Sequence, residues 1–357
     1  MTTSRILFGL AASFLLLATG CKDPDGASGG TDGVALYTFD STSNKVLIWK
    51  DLSALYDSAT TVAPSYQLSS SLFNKVSNLA WGGLCFDSHL GILYMVSDTG
   101  TIVRVSNIRS QNGAVPSGEV VSFALSTTGR LPNGKFGQAS LDAQTNTLYI
   151  TENGESDTQI WVVANASSQI QDVTLASIKT SGDTGGTGVA AAFGVVYAFM
   201  ADGGTVGPDF LTGPRLRKGT STGFDPAQVI LGSLPTLGIH GSLALDTANS
   251  DLFVARHNTD AISTAPPIQV FRTGYFGLSF NQAPILTLGD AADQPNLRVI
   301  SHPGTKAWLV GLKGQGTVGY DSILLWKSPL GGSAAKTITV TPAGAVLKGV
   351  AIDGNAS

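Results

Sequence analysis

The sequence has 357 residues, a net charge of −4, only 13% charged residues and 43 glycines. A disordered chain and a nucleic-acid-binding protein are both excluded, because 43% of the residues are hydrophobic and the 21 lysines and arginines are scattered along the chain. Glycine, serine and threonine between short apolar runs are typical of strands joined by turns, so the composition predicts an all-β fold.

The N-terminus has the features of a secretion signal. Arg5 precedes an apolar run at residues 6–17, which is too short to span a bilayer, and small residues follow at 18–20. The segment LATGC at residues 17–21 resembles the lipobox of bacterial lipoproteins, in which the cysteine receives a diacylglyceryl group and becomes the new N-terminus. We therefore expect a signal peptide at residues 1–20, and a lipidated Cys21 with a flexible tether at residues 21–33.

The resemblance to bacterial lipoproteins also implies a location. Lys22 follows the cysteine, whereas an aspartate at this position retains lipoproteins of Gram-negative bacteria at the inner membrane. We therefore expect a cell-envelope protein that is anchored to the outer membrane through Cys21. Acylation of Cys21 leaves Cys85 without an intramolecular partner, and the apolar run around Cys85 predicts a small buried side chain.

A sequence repeat that predicts three short strands recurs along the rest of the chain. Its clear copies have third strands that begin at Val46, Ile102, Ile160, Ile268 and Ile323, at intervals of 56, 58, 108 and 55 residues. Because 108 is twice 54, a degenerate copy at residues 188–199 fills the gap, with a third strand at residues 215–216. A period of about 55 residues with short strands predicts the blades of a propeller.

The two ends of the chain supply complementary parts of one further blade. The N-terminal copy begins at residues 36–40 and lacks a first strand, whereas residues 349–353 form a first strand that no later strand follows. Pairing of the two pieces would hide the strand edges of an open ring. We therefore predict a six-bladed β-propeller over residues 34–357, closed by pairing of the N- and C-terminal strands in one blade. The repeated phrase resembles that of NHL-like six-bladed propellers.

Several residues occupy equivalent places in the repeat. An aspartate ends the first strand and is expected to cap the following turn, as at Asp87, Asp142, Asp246 and Asp353. An aromatic residue in the third strand is expected to pack in the core or between blades, as at Trp49, Trp161, Phe271 and Trp326. His89 and His302 follow first strands, and we expect both to be solvated turn residues.

The candidate ligand site lies on the face where loops enter the first strand and leave the second strand. In a propeller these loops converge on the axis, so their polar residues can share one opening. The candidate ligand-binding residues are Asp98, Glu152, Asn153, Asp202, His240 and His257. The alternative interpretation is that they are ordinary polar residues of surface loops. Their oxygen and imidazole groups suit a divalent cation, and the carboxylate and amide oxygens by themselves would suit calcium, but the sequence does not identify the cofactor. We expect Glu152 and His257 to be exposed loop residues.

The sequence leaves more than one function open. The leading interpretation is a non-enzymatic binding or assembly module of the cell envelope, with an envelope protein or a small polar ligand as its partner. The alternative is a metal-dependent hydrolase, since propellers of the gluconolactonase type resemble this architecture and hold a metal through Glu, Asn and Asp. The local candidates for those ligands are Glu152, Asn153, Asp98 and Asp202. A quinone-dependent dehydrogenase is a third possibility, but its arginine and histidine pattern is not identifiable, and we assign no catalytic residue.

Overall fold

A computed structural model describes residues 33–58, 60–155, 157–173, 177–180, 184–201, 215–230, 240–257, 267–272, 284–290, 297–314, 320–331, 335–340 and 344–355. The expected signal peptide, Cys21 and nearly all of the tether lie outside these residues, as does Asp202. Within the described ranges, no helix is both long enough and apolar enough to cross a membrane.

Short strands make up most of the described chain. In chain order they are β1 (Ala35–Asp40), β2 (Lys45–Trp49), β3 (Thr61–Val62), β4 (Tyr66–Ser69), β5 (Leu79–Asp87), β6 (Ile92–Ser97), β7 (Thr101–Val105), β8 (Val120–Ala124), β9 (Lys135–Asp142), β10 (Thr147–Asn153), β11 (Thr158–Ala164), β12 (Ser177–Thr180), β13 (Thr184–Ala192), β14 (Val195–Ala201), β15 (Arg215–Thr220), β16 (Gly223–Ile230), β17 (His240–Asp246), β18 (Asp251–His257), β19 (Ile268–Arg272), β20 (Leu286–Leu288), β21 (Leu297–Ser301), β22 (Trp308–Gly314), β23 (Tyr320–Lys327), β24 (Lys336–Val340) and β25 (Leu347–Asp353). The helices that the structure describes are α1 (Leu52–Asp57) and the 3-10 helices Ser71–Val76, Ile108–Ser110, Ser117–Glu119, Ala166–Ser168 and Pro329–Gly331.

The strands form six four-stranded blades, which confirms the predicted β-propeller. From the inner to the outer strand, blade 1 is β25-β1-β2-β4, blade 2 is β5 to β8, blade 3 is β9 to β12, blade 4 is β13 to β16, blade 5 is β17 to β20, and blade 6 is β21 to β24. A single pair, Tyr320 opposite Leu347, links blades 6 and 1, and β3 adds a short parallel pairing to β24. The degenerate copy is blade 4, whose third strand begins at Arg215 as expected.

Blade 1 confirms the predicted closure by the two chain ends. Strand β1 pairs antiparallel with β25, from Ala35 opposite Asp353 to Asp40 opposite Leu347. The carboxylate of Asp353 then accepts two hydrogen bonds from Arg109 of the connection in blade 2, at 2.6 and 2.8 Å. A backbone pairing and a charged contact therefore hold the C-terminal strand in the ring.

The aromatic residues of the third strands lie between neighbouring blades, as predicted. Trp49, Trp161, Phe271 and Trp326 are each at most 2% exposed. Trp161 of blade 3 belongs to the same hydrophobic cluster as Tyr94 of blade 2, and Phe271 of blade 5 belongs to the same cluster as Tyr197 of blade 4. The repeat therefore places one large ring at the boundary between one blade and the blade before it.

The aspartates that end the first strands cap the turns that follow, as predicted. Asp87 accepts from the backbone N–H groups of His89 and Leu90, and Asp246 accepts from those of Ala248 and Asn249. The equivalent contacts of Asp142 and Asp353 are with Gln144 and Asn355. Blade 4 departs from this pattern, because Ala192 stands at the aspartate position and the turn contains only Phe193 and Gly194.

Candidate functional site

A cavity of about 260 Å³ lies where the innermost strands of the blades meet. Its wall includes residues of β5, β9, β13, β17, β21 and β25. Its mouth is formed by the turns between first and second strands, through residues such as His89, Gln144, Phe193 and Thr305. The cavity therefore opens on the face opposite to the one on which the sequence placed the candidate ligand site.

Gln138 of β9 spans the channel at the inner end of this cavity. Its Nε2 donates to the carbonyl of Leu243 at 2.7 Å, and its Oε1 accepts from the N–H groups of Leu243 and Val189 at 2.9 and 3.2 Å. One side chain of blade 3 thus bridges blades 4 and 5. The backbone of Gly82 in blade 2 has a φ of +74°, and a Cβ there would approach Cγ of Gln138 to 3.0 Å. Glycine therefore suits both the positive φ of this residue and the close approach of Gln138.

The wall of the cavity combines apolar and polar side chains in nearly equal measure. Its larger aliphatic residues are Leu84, Leu141, Leu243, Leu245, Val299, Ile300, Val350 and Ile352. Cys85 also lines it and is half-buried, and burial of its thiol, together with the negative charge of Asp87, raises the thiol pKa. The thiol is therefore protonated and uncharged at neutral pH, but it is half-buried at the cavity and not fully buried as the sequence predicted.

The expectation that His302 is a solvated turn residue is wrong. Its side chain is 0% exposed, and its ring stacks on Phe253 of blade 5 with centroids 5.3 Å apart. Burial lowers the pKa of His302 to about 4, and the nearby charge of Asp246, 3.8 Å from Nε2, opposes that shift. Nδ1 accepts from the N–H of Gly304 at 3.0 Å. The ring is therefore neutral at neutral pH. His89, by contrast, is exposed as predicted.

The candidate residue Asp98 lies in the turn after β6 and is partly exposed. Its Oδ2 is 3.7 Å from Nζ of Lys135, which belongs to blade 3 and whose side chain is 69% exposed. Its backbone carbonyl accepts from the N–H of Phe136. Asp98 therefore contributes a solvent-screened contact between blades 2 and 3.

Glu152 is not the exposed loop residue that the sequence suggested. It lies inside β10 and is 0% exposed. Its Oε2 accepts from Nε1 of Trp161 at 2.7 Å and from Nε2 of Gln159 at 2.5 Å, and its Oε1 accepts from the N–H of Leu131 at 3.3 Å. The carboxylate is therefore held by donors within blade 3.

The structure describes the remaining candidate residues only in part. Asn153 ends β10 and accepts from the hydroxyl of Thr158 at 3.3 Å. His240 and His257 are opposite each other in the pairing of β17 and β18, which places both backbones at the predicted edge of blade 5. Asp202 lies outside the described residues. A ligand on this face therefore stays a prediction.

The described residues contain no group of three His, Cys, Asp or Glu side chains that could hold a metal ion. Several connections on the predicted face lie outside the described ranges, including residues 202–214, 231–239, 258–266, 291–296 and 315–319. Sequence reasoning missed Gln138, Phe193 and His302 as cavity residues. A glutamine within an apolar first strand, and a phenylalanine where a two-residue hairpin favours Asn-Gly, are the signals that could have identified two of them.

Comparison with known proteins places the chain by its fold. No family model and no curated protein sequence matches it. Its structure is similar to 644 chains of solved structures. One of them, from the crystal structure of a nidogen/laminin complex, is 13% identical with a TM-score of 0.55, over 91% of this chain and 99% of that chain. At this identity the likeness shows a shared β-propeller architecture.

Proposed function

We propose that the protein is a lipid-anchored β-propeller of the bacterial cell envelope that acts as a non-enzymatic binding module. In this proposal Cys21 attaches the chain to the outer membrane, residues 22–33 form a tether, and the propeller presents its binding face to a partner molecule. Antiparallel pairing of the N- and C-terminal strands closes the ring and gives the propeller the rigidity that a preformed binding site needs.

The channel cavity is the observation that carries this proposal. Binding sites are concave, mostly apolar and largely preformed, with a few polar groups that orient the ligand. The cavity has aliphatic and polar side chains in its wall, polar turn residues at its mouth and a floor fixed by the three hydrogen bonds of Gln138. These features suit recognition of a bound group.

The solved relative and the Glu152 network favour binding over hydrolysis. The similar propeller was solved in a nidogen/laminin complex, so the architecture occurs in a protein assembly. Glu152 would have to serve as a metal ligand in a gluconolactonase-type site, yet its carboxylate already accepts three hydrogen bonds inside blade 3. Calcium-dependent hydrolysis of a sugar lactone by the purified protein would contradict the binding-module proposal.

The anchor is tested by replacing Cys21 with serine in the full-length protein. The expected result is loss of labelling by radioactive palmitate, an uncleaved signal peptide and release from washed membranes, because lipid chains add about 0.8 kcal/mol of membrane affinity per buried CH₂. Cys85→Ser is the matched control, since it removes the other cysteine and should leave labelling and membrane attachment unchanged.

The outer-membrane location has its own test. Lys22→Asp should move the protein from the outer-membrane to the inner-membrane fraction of a density gradient, without loss of palmitate labelling. If the Cys21→Ser protein keeps its mass and stays attached to membranes, Cys21 is not the anchor. If the Lys22→Asp protein keeps its position in the gradient, Lys22 does not determine the location.

A further inference from the structure

We propose that the propeller lies against the membrane with the face that carries the cavity mouth, and that apolar side chains of this face contact the lipid. We call this side the mouth face; it holds the turns between first and second strands and the mouth-side ends of all strands. The inference rests on the proposed anchor at Cys21, and it names a lipid bilayer as the partner of this face.

The described chain begins at the mouth face. Strand β1 starts with Ala35 opposite Asp353, the last residue of β25. The carbonyl of Val34 accepts from the N–H of Leu52, in the connection that follows β2, at 3.0 Å. In blade 1 the two chain ends therefore stand where the other blades have the turn between first and second strands. A tether that precedes Gly33 leaves the propeller from this side.

The length of the proposed tether favours an orientation with the mouth face towards the lipid. Residues 22–32 number 11 between Cys21 and Gly33. Such a segment spans about 40 Å when fully extended and about 18 Å as a relaxed coil. Presenting the opposite face to the membrane would add the height of a blade, which is about 23 Å for a strand of seven residues such as β10. That height alone exceeds the relaxed length of the tether.

Three of the exposed large hydrophobic side chains that the structure describes lie at the mouth face. Leu90 and Phe193 are 47% and 46% exposed, in the turns between the first and second strands of blades 2 and 4. Ile285 is 46% exposed and precedes β20 at the mouth-side end of blade 5. Ile170, at 64% exposure, lies instead beside β8 on the outside of blade 2. Apolar side chains that project from one face of an anchored domain suit the boundary between headgroups and acyl chains.

The charges of the mouth face suit a surface of anionic phospholipid. Lys50, Lys306 and Lys327 are exposed at the mouth-side ends of blades 1 and 6, where Asp57 is exposed as well. The carboxylates that end the first strands are at most 3% exposed and accept from backbone N–H groups, so they present no charge to the lipid; they are Asp87, Asp142, Asp246 and Asp353. Lysines near an anionic leaflet add electrostatic attraction to the apolar contact.

The test holds the propeller on vesicles by its N-terminus without using Cys21. The chain from Lys22 onward contains all of the described strands, and it is given an N-terminal polyhistidine tag. The vesicles consist of phosphatidylethanolamine, phosphatidylglycerol and a nickel-chelating lipid. In a Cys85→Ser background, one introduced cysteine carries the fluorophore NBD. Ala143→Cys places it in the exposed mouth turn of blade 3, and Thr127→Cys places it in the exposed connection from β8 to β9 on the opposite face.

We expect the bilayer to shield the probe at position 143 from iodide in the aqueous phase. Its quenching constant on vesicles should be at least about threefold lower than in solution, because apolar groups of a membrane-bound face are buried about 5–10 Å into the interface. The probe at position 127 is the matched control, and iodide should quench it equally on vesicles and in solution.

A triple variant tests the apolar side chains themselves. Leu90→Ser, Phe193→Asn and Ile285→Ser are combined in the protein labelled at position 143. The quenching constant on vesicles should rise to its value in solution, while the tag still holds the protein on the vesicles. Ile170→Ser is the matched control, because it removes an exposed hydrophobic side chain beside β8, and it should leave the shielding unchanged.

Several outcomes would overturn the proposal. Equal quenching of the probe at position 143 on vesicles and in solution would show that the mouth face does not meet the lipid. Shielding of the probe at position 127 would show that the opposite face does. Undiminished shielding in a triple variant that still melts cooperatively would show that these side chains make no lipid contact. None of these results alters palmitate labelling at Cys21, so failure of this inference is distinguishable from failure of the proposed anchor.

Discussion

Blades 3 and 1 carry a tryptophan at the same place in the repeat, but its indole N–H has different surroundings in the two. In blade 3, Nε1 of Trp161 donates to the buried carboxylate of Glu152. In blade 1, Trp49 is 2% exposed and its Nε1 has no hydrogen-bond partner among the described residues. Blade 1 is distinguished instead by the pairing of two distant chain segments. The repeat thus specifies apolar packing, whereas each blade adds its own polar contacts.

Removal of the closing strand β25 should have the largest effect on the stability of the ring. Deleting residues 347–357 removes β25, leaves the edge of β1 unpaired and removes Val350 and Ile352 from the cavity wall. We expect loss of the folded monomer and aggregation, because an exposed strand edge invites pairing with other chains. Size-exclusion chromatography and thermal unfolding measure both effects.

A shorter deletion is the control for this experiment. Removing only residues 356–357 leaves the whole of β25 and the Arg109–Asp353 contact in place, so monomeric behaviour and melting temperature should be those of the parent. A protein without residues 347–357 that stays monomeric and melts at the parent temperature would show that pairing of the chain ends does not stabilise the ring.

The next largest effect is expected in blade 3, at Glu152. Glu152→Ala leaves the donors on Trp161, Gln159 and Leu131 without their acceptor in a site that is 0% exposed. We expect the free energy of unfolding to fall by about 3 kcal/mol in denaturant titration, because buried donors lose both their bonds and access to water.

Asp98→Ala is the matched control for Glu152→Ala. Asp98 was also a candidate ligand residue, but its contact with Lys135 is solvent-exposed at 3.7 Å, so its loss should cost less than about 1 kcal/mol. Equal effects of the two substitutions would mean that the buried network contributes no more than a surface ion pair. The difference in polar contacts between blades 3 and 1 would then have no particular effect on the free energy of unfolding.

The sequence predicted the parts of the fold that the repeat dictates. The six blades, the closing strand, the aspartate caps and the inter-blade aromatic residues follow from period, alternation and turn chemistry. The error at Glu152 came from the end of β10, which extends to Asn153 and so takes Glu152 into the blade. Strand ends carry an uncertainty of one or two residues, and such an error exchanges an exposed side chain for a buried one.

The cavity could not be predicted, because its floor depends on contacts between blades. Gln138 of blade 3 bonds to Val189 of blade 4 and Leu243 of blade 5, which are 51 and 105 residues away along the chain. No local pattern specifies such a bridge. Burial of His302 likewise depends on Phe253 of the neighbouring blade, and a turn position alone predicted the opposite.

The boundary between blades 5 and 6 contains a buried group that can take up a proton. His302 of blade 6 stacks on Phe253 and lies 3.8 Å from the carboxylate of Asp246, both in blade 5. Burial lowers its pKa to about 4, from the ordinary value of 6.5. Above pH 6.5, His302 is neutral in both the folded and the unfolded state, so it adds no pH dependence to the free energy of unfolding there. Between pH 6.5 and 4 only the unfolded state takes up a proton, and stability falls as the pH falls.

The last expected effect is a pH-dependent loss of stability at His302, which does not exceed the loss expected for Glu152→Ala. The loss is at most about 3 kcal/mol between pH 7.5 and 4, since one pKa unit corresponds to about 1.4 kcal/mol.

His302→Phe keeps an aromatic ring against Phe253 but cannot take up a proton, so its unfolding free energy should fall less steeply over this range than that of the parent. Carboxylates titrate in both proteins, and the difference between the two slopes isolates the histidine. His89→Phe is the matched control for exchanging a histidine for a phenylalanine, because the exposed His89 occupies the corresponding turn of blade 2. Parallel pH curves for the parent and His302→Phe would mean that His302 gains its proton as readily in the folded protein as in the unfolded chain.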